Sequence, residues 1–225
     1  MSSALSHILI LILRVRLGPG QHTQYSLMPV SQLTHTIVSV ALGQDHTLAV
    51  TKSGEVLSWG LNRFSQLGYV IEPSSTGSGV SLGRSEEPVQ ASPRKIFGAL
   101  KKEVVRGVAA CKTASACWTE SEVFTWGTNH GQLGWLDFLA HFNFGERLMD
   151  CLAGYDKAAQ PVQILPRKVT KITLPVKGLS ITDTALACLL VTQDIICIWN
   201  DRHFKIKYAY QYFYLFAHID ILTLY

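Results

Sequence analysis

The sequence predicts an all-β fold, a partial β-propeller of about three blades, and three observations carry that prediction. An apolar strand, a Trp-Gly pair, a polar turn and Gln-Leu-Gly are written twice, as LSWGLNRFSQLGY (residues 57–69) and FTWGTNHGQLG (residues 124–134). Before each Trp, apolar residues alternate with small or polar ones on either side of a turn, which is the two-residue period of paired strands. The copies recur about every 50 to 70 residues, a spacing that suits propeller blades, and the 3.6-residue period of helical solenoids is absent.

Taken in chain order, residues 1–15 are unlike the rest. SHILILILRV (residues 6–15) holds an apolar run of about six residues, too short to span a bilayer and without the preceding basic residues of a signal peptide. An incomplete copy opens with Arg16-Leu17-Gly18 and Pro29-Val30. The first full copy, IVSVALGQDHTLAVTKSGEVLSWG from Ile37, breaks at Lys52-Ser53-Gly54 and resumes as a strand ending in Trp59. The second, VVRGVAACKTASACWTESEVFTWG from Val104, breaks at Glu120-Ser121 and ends in Trp126. Counting back sixteen residues from each Trp sets Gly43 against Ala110. Each copy then runs through Leu67-Gly68 or Leu133-Gly134 to Pro88-Val89 or Pro161-Val162. A fainter last copy, from KVTKITL through TALACLLVTQDIICIWN, is expected to set Trp199 at the Trp-Gly position with Asn200 in place of Gly.

Three segments stand outside this pattern. PSSTGSGVSLGRSEE (residues 73–87) is rich in Ser and Gly and reads as a tolerated long loop at a blade rim. Residues 135–154 separate Gln132-Leu133-Gly134 from Tyr155, and removing them would restore the Gln-Leu-Gly-Tyr of residues 66–69. This insertion reads as a surface amphipathic helix or as translated intron sequence. The tail YAYQYFYLFAHIDILTLY (residues 208–225) could cross a bilayer only by carrying Gln211, His218 and Asp220 into lipid, which is costly. The expected organisation is an atypical segment 1–15, a partial propeller 16–207 with the insertion 135–154, and an apolar tail 208–225.

The repeated positions read as structural. Gly43, Gly54, Gly60 and Gly68, with Gly127 and Gly134 in the second copy, supply positive φ or close backbone approach. Trp59, Trp126, Leu67 and Leu133, together with Val50 and Val56, are expected to pack between neighbouring sheets. His46 beside Asp45 is not an acid/base pair, because adjacent strand residues face opposite sides and no nucleophile elbow accompanies them. It reads as a structural histidine.

Composition narrows the function classes. Of 225 residues, 48% are apolar and 16% charged, against roughly 25% charged in typical soluble domains, so the chain is short of solvated surface. The net charge of +4 is spread out, and Lys101-Lys102 or Arg167-Lys168 are pairs rather than the stripe a nucleic-acid footprint needs. No nucleic acid and no membrane is expected as a partner. The five cysteines are odd in number and lack zinc or redox spacing, and no Asn-x-Ser/Thr acceptor occurs, which favours a cytoplasmic or nuclear home. Gly77-Ser78-Gly79 lacks the Lys and the strand-to-helix context of a phosphate loop. No catalytic, cofactor-binding or metal-ligating residue is assigned, and no cofactor is expected.

The stretch VALGQDHTLAVTKSGEVLSWGLNRFSQLG resembles a repeat of the regulator of chromosome condensation family, which forms seven-bladed β-propellers. SWGLNRFSQLG followed by CWTESEVFTWGTNHGQLG also resembles the propeller of inhibitor-of-Bruton-tyrosine-kinase-like proteins, which set ankyrin repeats before it and BTB/POZ domains after it. The resemblance covers residues 16–134 and 155–207. It implies about three blades of seven, and a protein-interaction scaffold of the ubiquitin-ligase adaptor kind with an unidentified protein partner. The alternative it implies is a guanine-nucleotide exchange factor for a small GTPase.

Overall fold

The computed structural model describes residues 30, 33–71, 88–134, 162–170, 172–199 and 202–206. Their twelve strands form three four-stranded antiparallel sheets, each made of strands consecutive in sequence. Blade 1 contains β1 (Ile37–Leu42), β2 (His46–Thr51), β3 (Val56–Leu61) and β4 (Val89–Lys95). Blade 2 contains β5 (Gly107–Ala110), β6 (Ala114–Trp118), β7 (Val123–Thr128) and β8 (Val162–Lys168). Blade 3 contains β9 (Val176–Ile181), β10 (Ala185–Leu190), β11 (Ile195–Trp199) and β12 (Arg202–Ile206). The one helical turn among the described residues is a 3-10 turn at Gly98–Leu100.

The middle strands are buried throughout in blade 1, as a sheet covered on both faces requires. Alternate residues serve opposite faces. Leu48, Val50 and Val56 point toward blade 2, where they meet Cys117, Phe124 and Trp126. Ala116 and Val123, the next residues along, point the other way and join Leu186, Cys188 and Ile198 of blade 3. The facing sides of consecutive blades thus complete one another, and burying such a face at about 25 cal/mol per Å² is what a lone sheet could not do. The last strands are the exposed edges, and Pro93 and Pro166, at matching positions of β4 and β8, remove a donor from each.

The register fixes which residues are equivalent and corrects two alignments. His46 pairs with Gly60, Ala114 with Gly127, and Ala185 with Trp199. Thr47 pairs with Trp59, Ser115 with Trp126, and Leu186 with Ile198. Trp199 therefore stands at the glycine position of the Trp-Gly pair, and Ile198 takes the Trp position. The hairpin bonds carry the same register. Thr51 N bonds Glu55 O and Leu190 N bonds Asp194 O, whereas Thr119 N bonds Glu122 O, so the second hairpin is one residue shorter. The same shortening sets Gly43 against Cys111 rather than Ala110, because Gly43 N bonds His46 O and Cys111 N bonds Ala114 O. The expectations for residues 1–15, 73–87, 135–154 and 208–225 concern sequence outside the described residues.

Candidate interaction site: the turn that joins one blade to the next

The repeated Trp-Gly-x-Asn and Gln-Leu-Gly form one turn held by its own side chains. Asn62 Oδ1 accepts from Leu67 N at 3.0 Å, and Asn129 Oδ1 accepts from Leu133 N at 3.1 Å. Gln66 Oε1 accepts from Phe64 N at 2.8 Å, and Gln132 Oε1 from His130 N at 2.6 Å. From the preceding strand, Ser58 Oγ donates to Leu67 O and Thr125 Oγ1 to Leu133 O. Side-chain amides here satisfy backbone groups that a buried loop would strand.

Glycine is obligatory at two places in this turn. Gly60 and Gly127 have φ of 113° and 107°, and an added Cβ would lie 2.4 Å from Asp45 O or 2.5 Å from Thr113 O. Gly68 and Gly134 have φ of 81° and 72°, and each lies against the next blade: a Cβ on Gly68 would stand 3.0 Å from Trp126 Nε1, one on Gly134 2.6 Å from the Ile198 methyl. Leu67 and Leu133 are fully buried in the two inter-blade cores. Gly54 closes the first hairpin with φ of 84°, and Gly43 lies under the His46 ring.

Between blades 1 and 2 the turn is also gripped by polar groups. Gln66 O accepts from Ser115 Oγ at 2.7 Å and from Trp126 Nε1 at 2.9 Å. His46 Nε2 lies 2.8 Å from the same Ser115 Oγ. Because a carbonyl only accepts, the serine spends its single proton on Gln66, and His46 must donate from Nε2. His46 thus extends a fully buried relay from one blade into the next. Between blades 2 and 3 the corresponding residues are Leu186 and Ile198, so apolar side chains meet the turn there, while Thr113 N and Oγ1 donate to Asp183 Oδ1 at 3.1 and 3.0 Å across the same junction. Trp59, buried like Trp126, packs on the opposite face of blade 1 with Ile37, Ala49 and Leu57, against Val30 and Leu33.

A further repeat was missed by sequence reading. Glu55, Glu122 and Asp194 precede β3, β7 and β11, and each carboxylate pairs with a lysine of its blade's last strand, Lys95, Lys168 or Lys205. The hydrogen bond from Lys95 holds the Glu55 carboxyl below its ordinary range. Lys95 and Lys168 follow Pro93-Arg94 and Pro166-Arg167, and that Pro-Arg-Lys echo could have disclosed the pairing. Cys111, Cys117, Cys188 and Cys197 are free thiols; burial pushes Cys111 up to about 12, Cys197 to about 11, and raises Cys117 and Cys188 further.

Residues 37–66 match the family model of the regulator of chromosome condensation (RCC1) repeat. The chain is 30% identical over 193 residues to BTB/POZ domain-containing protein 1 of Schizosaccharomyces pombe, covering 86% of this chain and 12% of that protein. It is 34% identical over 162 residues to the inhibitor of Bruton tyrosine kinase of Xenopus laevis, covering 72% of this chain and 10% of that one. The chain therefore spans about a tenth of the length of these curated relatives. Among solved structures, yeast RCC1 (Prp20), crystallised with Kap60, superposes on 85% of this chain and 39% of its own with a TM-score of 0.58 at 17% identity, which speaks for the fold alone. With one matched repeat and two further sheets built on the same register, the chain is similar to the RCC1-type β-propellers.

Proposed function

We propose that this chain supplies three consecutive blades of a non-enzymatic propeller that serves as a protein-interaction scaffold within a longer, ubiquitin-ligase adaptor-like protein of the cytoplasm or nucleus. The observation that carries this reading is the kinship with a BTB/POZ domain-containing protein, of which the chain corresponds to about a tenth. The repeated geometry of the turns is spent on joining blades, which leaves the rim loops to meet a protein partner. In the longer protein, removing residues 37–206 should abolish capture of the adaptor's substrate while leaving cullin binding intact. Unchanged substrate capture would contradict the proposal. The exchange-factor alternative is decided by nucleotide release: the chain should leave release from a small GTPase at its basal rate, and acceleration would favour exchange.

A further inference from the structure

The last strands of blades 1 and 2 each leave the ladder at one place. In β4, Gly60 faces Gln90 and Ser58 faces Arg94, so Ala91, Ser92 and Pro93 stand opposite Trp59 alone. In β8, Gly127 faces Gln163 and Thr125 faces Arg167, so Ile164, Leu165 and Pro166 stand opposite Trp126 alone. Both bulges lie on strands that end their sheets among the described residues. They carry the same Pro-Arg-Lys frame and differ in the residue before it, Ser92 in one and Leu165 in the other. Leu165 is 50% exposed, so this position has room for a group much larger than a hydroxymethyl. Ser92 also differs from the serines of the middle strands. Ser58 and Ser115 are fully buried and donate to Leu67 O and Gln66 O. Ser92 is half-buried, and Gln90 Nε2, from the same strand, donates to its Oγ and to its carbonyl oxygen, both at 3.1 Å. Neither contact uses the hydroxyl's own proton. Of the chain's eight prolines, Pro93 is the sole one preceded by Ser or Thr.

We propose that Ser92 is a phosphorylation site, modified by a proline-directed protein kinase with ATP as the donor. Proline after the acceptor presents no N–H, so a kinase cleft that offers no acceptor at that position takes Pro93 without loss and discriminates against other residues. The basic residues that follow supply charge for such a cleft. Arg94 is exposed, and Lys95 is held by Glu55 in a partly exposed ion pair, which exchanges for a kinase carboxylate at little cost. Because the ladder already skips Ala91, Ser92 and Pro93, an approaching kinase has no cross-strand pair to break at the acceptor itself. In the reaction, Ser92 Oγ bonds the γ-phosphorus of ATP while the bond from that phosphorus to the β–γ bridging oxygen breaks. ADP leaves, and the hydroxyl proton passes to the catalytic aspartate of the kinase. The product sets about two negative charges on the edge of blade 1 where a neutral hydroxyl stood. The assignment concerns modification of the chain and stands apart from the scaffold proposal.

The test incubates the purified full chain with a cyclin-dependent kinase, a proline-directed enzyme, and labelled ATP, and maps the label by peptide mass spectrometry. The expected result is one phosphate per chain, on Ser92, entering at no less than about a tenth of the rate of a synthetic peptide of residues 88–97, since little of the sheet must open. Ser92→Ala should abolish labelling while leaving the urea midpoint unchanged. Pro93→Ala, which adds a backbone N–H that the cleft leaves unpaired, should slow labelling about tenfold or more. Leu165→Ser should add a second phosphate at position 165, because the bulge and the Pro-Arg-Lys frame are the same there. Label that survives Ser92→Ala, a rate that falls short of the peptide's by more than that margin, or indifference to Pro93→Ala overturns the proposal. So does a Leu165→Ser chain that takes only one phosphate.

Discussion

Ser115→Ala is the sharpest perturbation of the polar contacts at the blade junction, because one hydroxyl of blade 2 meets both Gln66 O and His46 Nε2 of blade 1. It removes the 2.7 Å bond to Gln66 O, which keeps Trp126 Nε1 as a donor, so that loss is worth about 1 kcal/mol. It also strands the His46 Nε2 proton in a site of 0% exposure, at about 1 to 3 kcal/mol. The expected cost is about 2 to 4 kcal/mol. With a urea dependence of roughly 2 kcal/mol per molar, the unfolding midpoint of the full chain should fall by about 1 to 2 M. Ser121→Ala, at an exposed turn position of the same blade, should leave the midpoint unchanged. Adding His46→Leu to Ser115→Ala should cost less than the two single losses combined, since the stranded donor leaves with the ring. A Ser115→Ala midpoint within about 0.3 M of the parent, or strict additivity with His46→Leu, would refute the relay.

Other consequences follow from the same geometry. Gly60→Val and Gly127→Val should each lower stability by roughly 2 to 5 kcal/mol, combining strain at positive φ with a backbone oxygen inside contact distance; unchanged thermal melting would show these glycines to be incidental. Burial raises the folded-state pKa of Cys111, Cys117, Cys188 and Cys197 above the ordinary 9.0. Their contribution is therefore complete below about pH 9 and is lost above it, because the unfolded chain sheds protons that the folded chain keeps. The loss is about 1.4 kcal/mol per pH unit per thiol, and urea midpoints that stay level from pH 8.5 to 10.5 would contradict it. Removing residues 135–154 should leave the melting temperature equal or higher, since Gly134 is already seated against Ile198 without them; unfolding of the shortened chain would make the insertion part of the fold.

The sequence disclosed the repeated turn because its chemistry is local. Gln, Leu and Gly at fixed spacing, after Trp-Gly, staple their own backbone, and that need is written in adjacent residues. The register of the third blade was not legible in the same way. Its Trp199 invites alignment by residue type, yet the equivalence is set by the hairpin bonds of Leu190, Gln193 and Asp194, where a non-glycine residue takes φ of 68° in the place of Gly54. Ile198 stands where Trp126 stands elsewhere and fills the core between blades 2 and 3 with Leu133, Val169 and Leu186. The His46–Ser115 contact, 69 residues apart in sequence, arises only once two blades meet, and neither residue type announces it.

The most direct test of three consecutive blades, each seating its turn on the next, is the pattern of nuclear Overhauser contacts to the turn glycines in the full chain. The account predicts contacts from the Trp126 indole proton to the Gly68 α protons, and from the Ile198 methyls to those of Gly134. Contacts from Trp199 to Gly134, or none between Gly68 and Trp126, would contradict both the register and the blade packing.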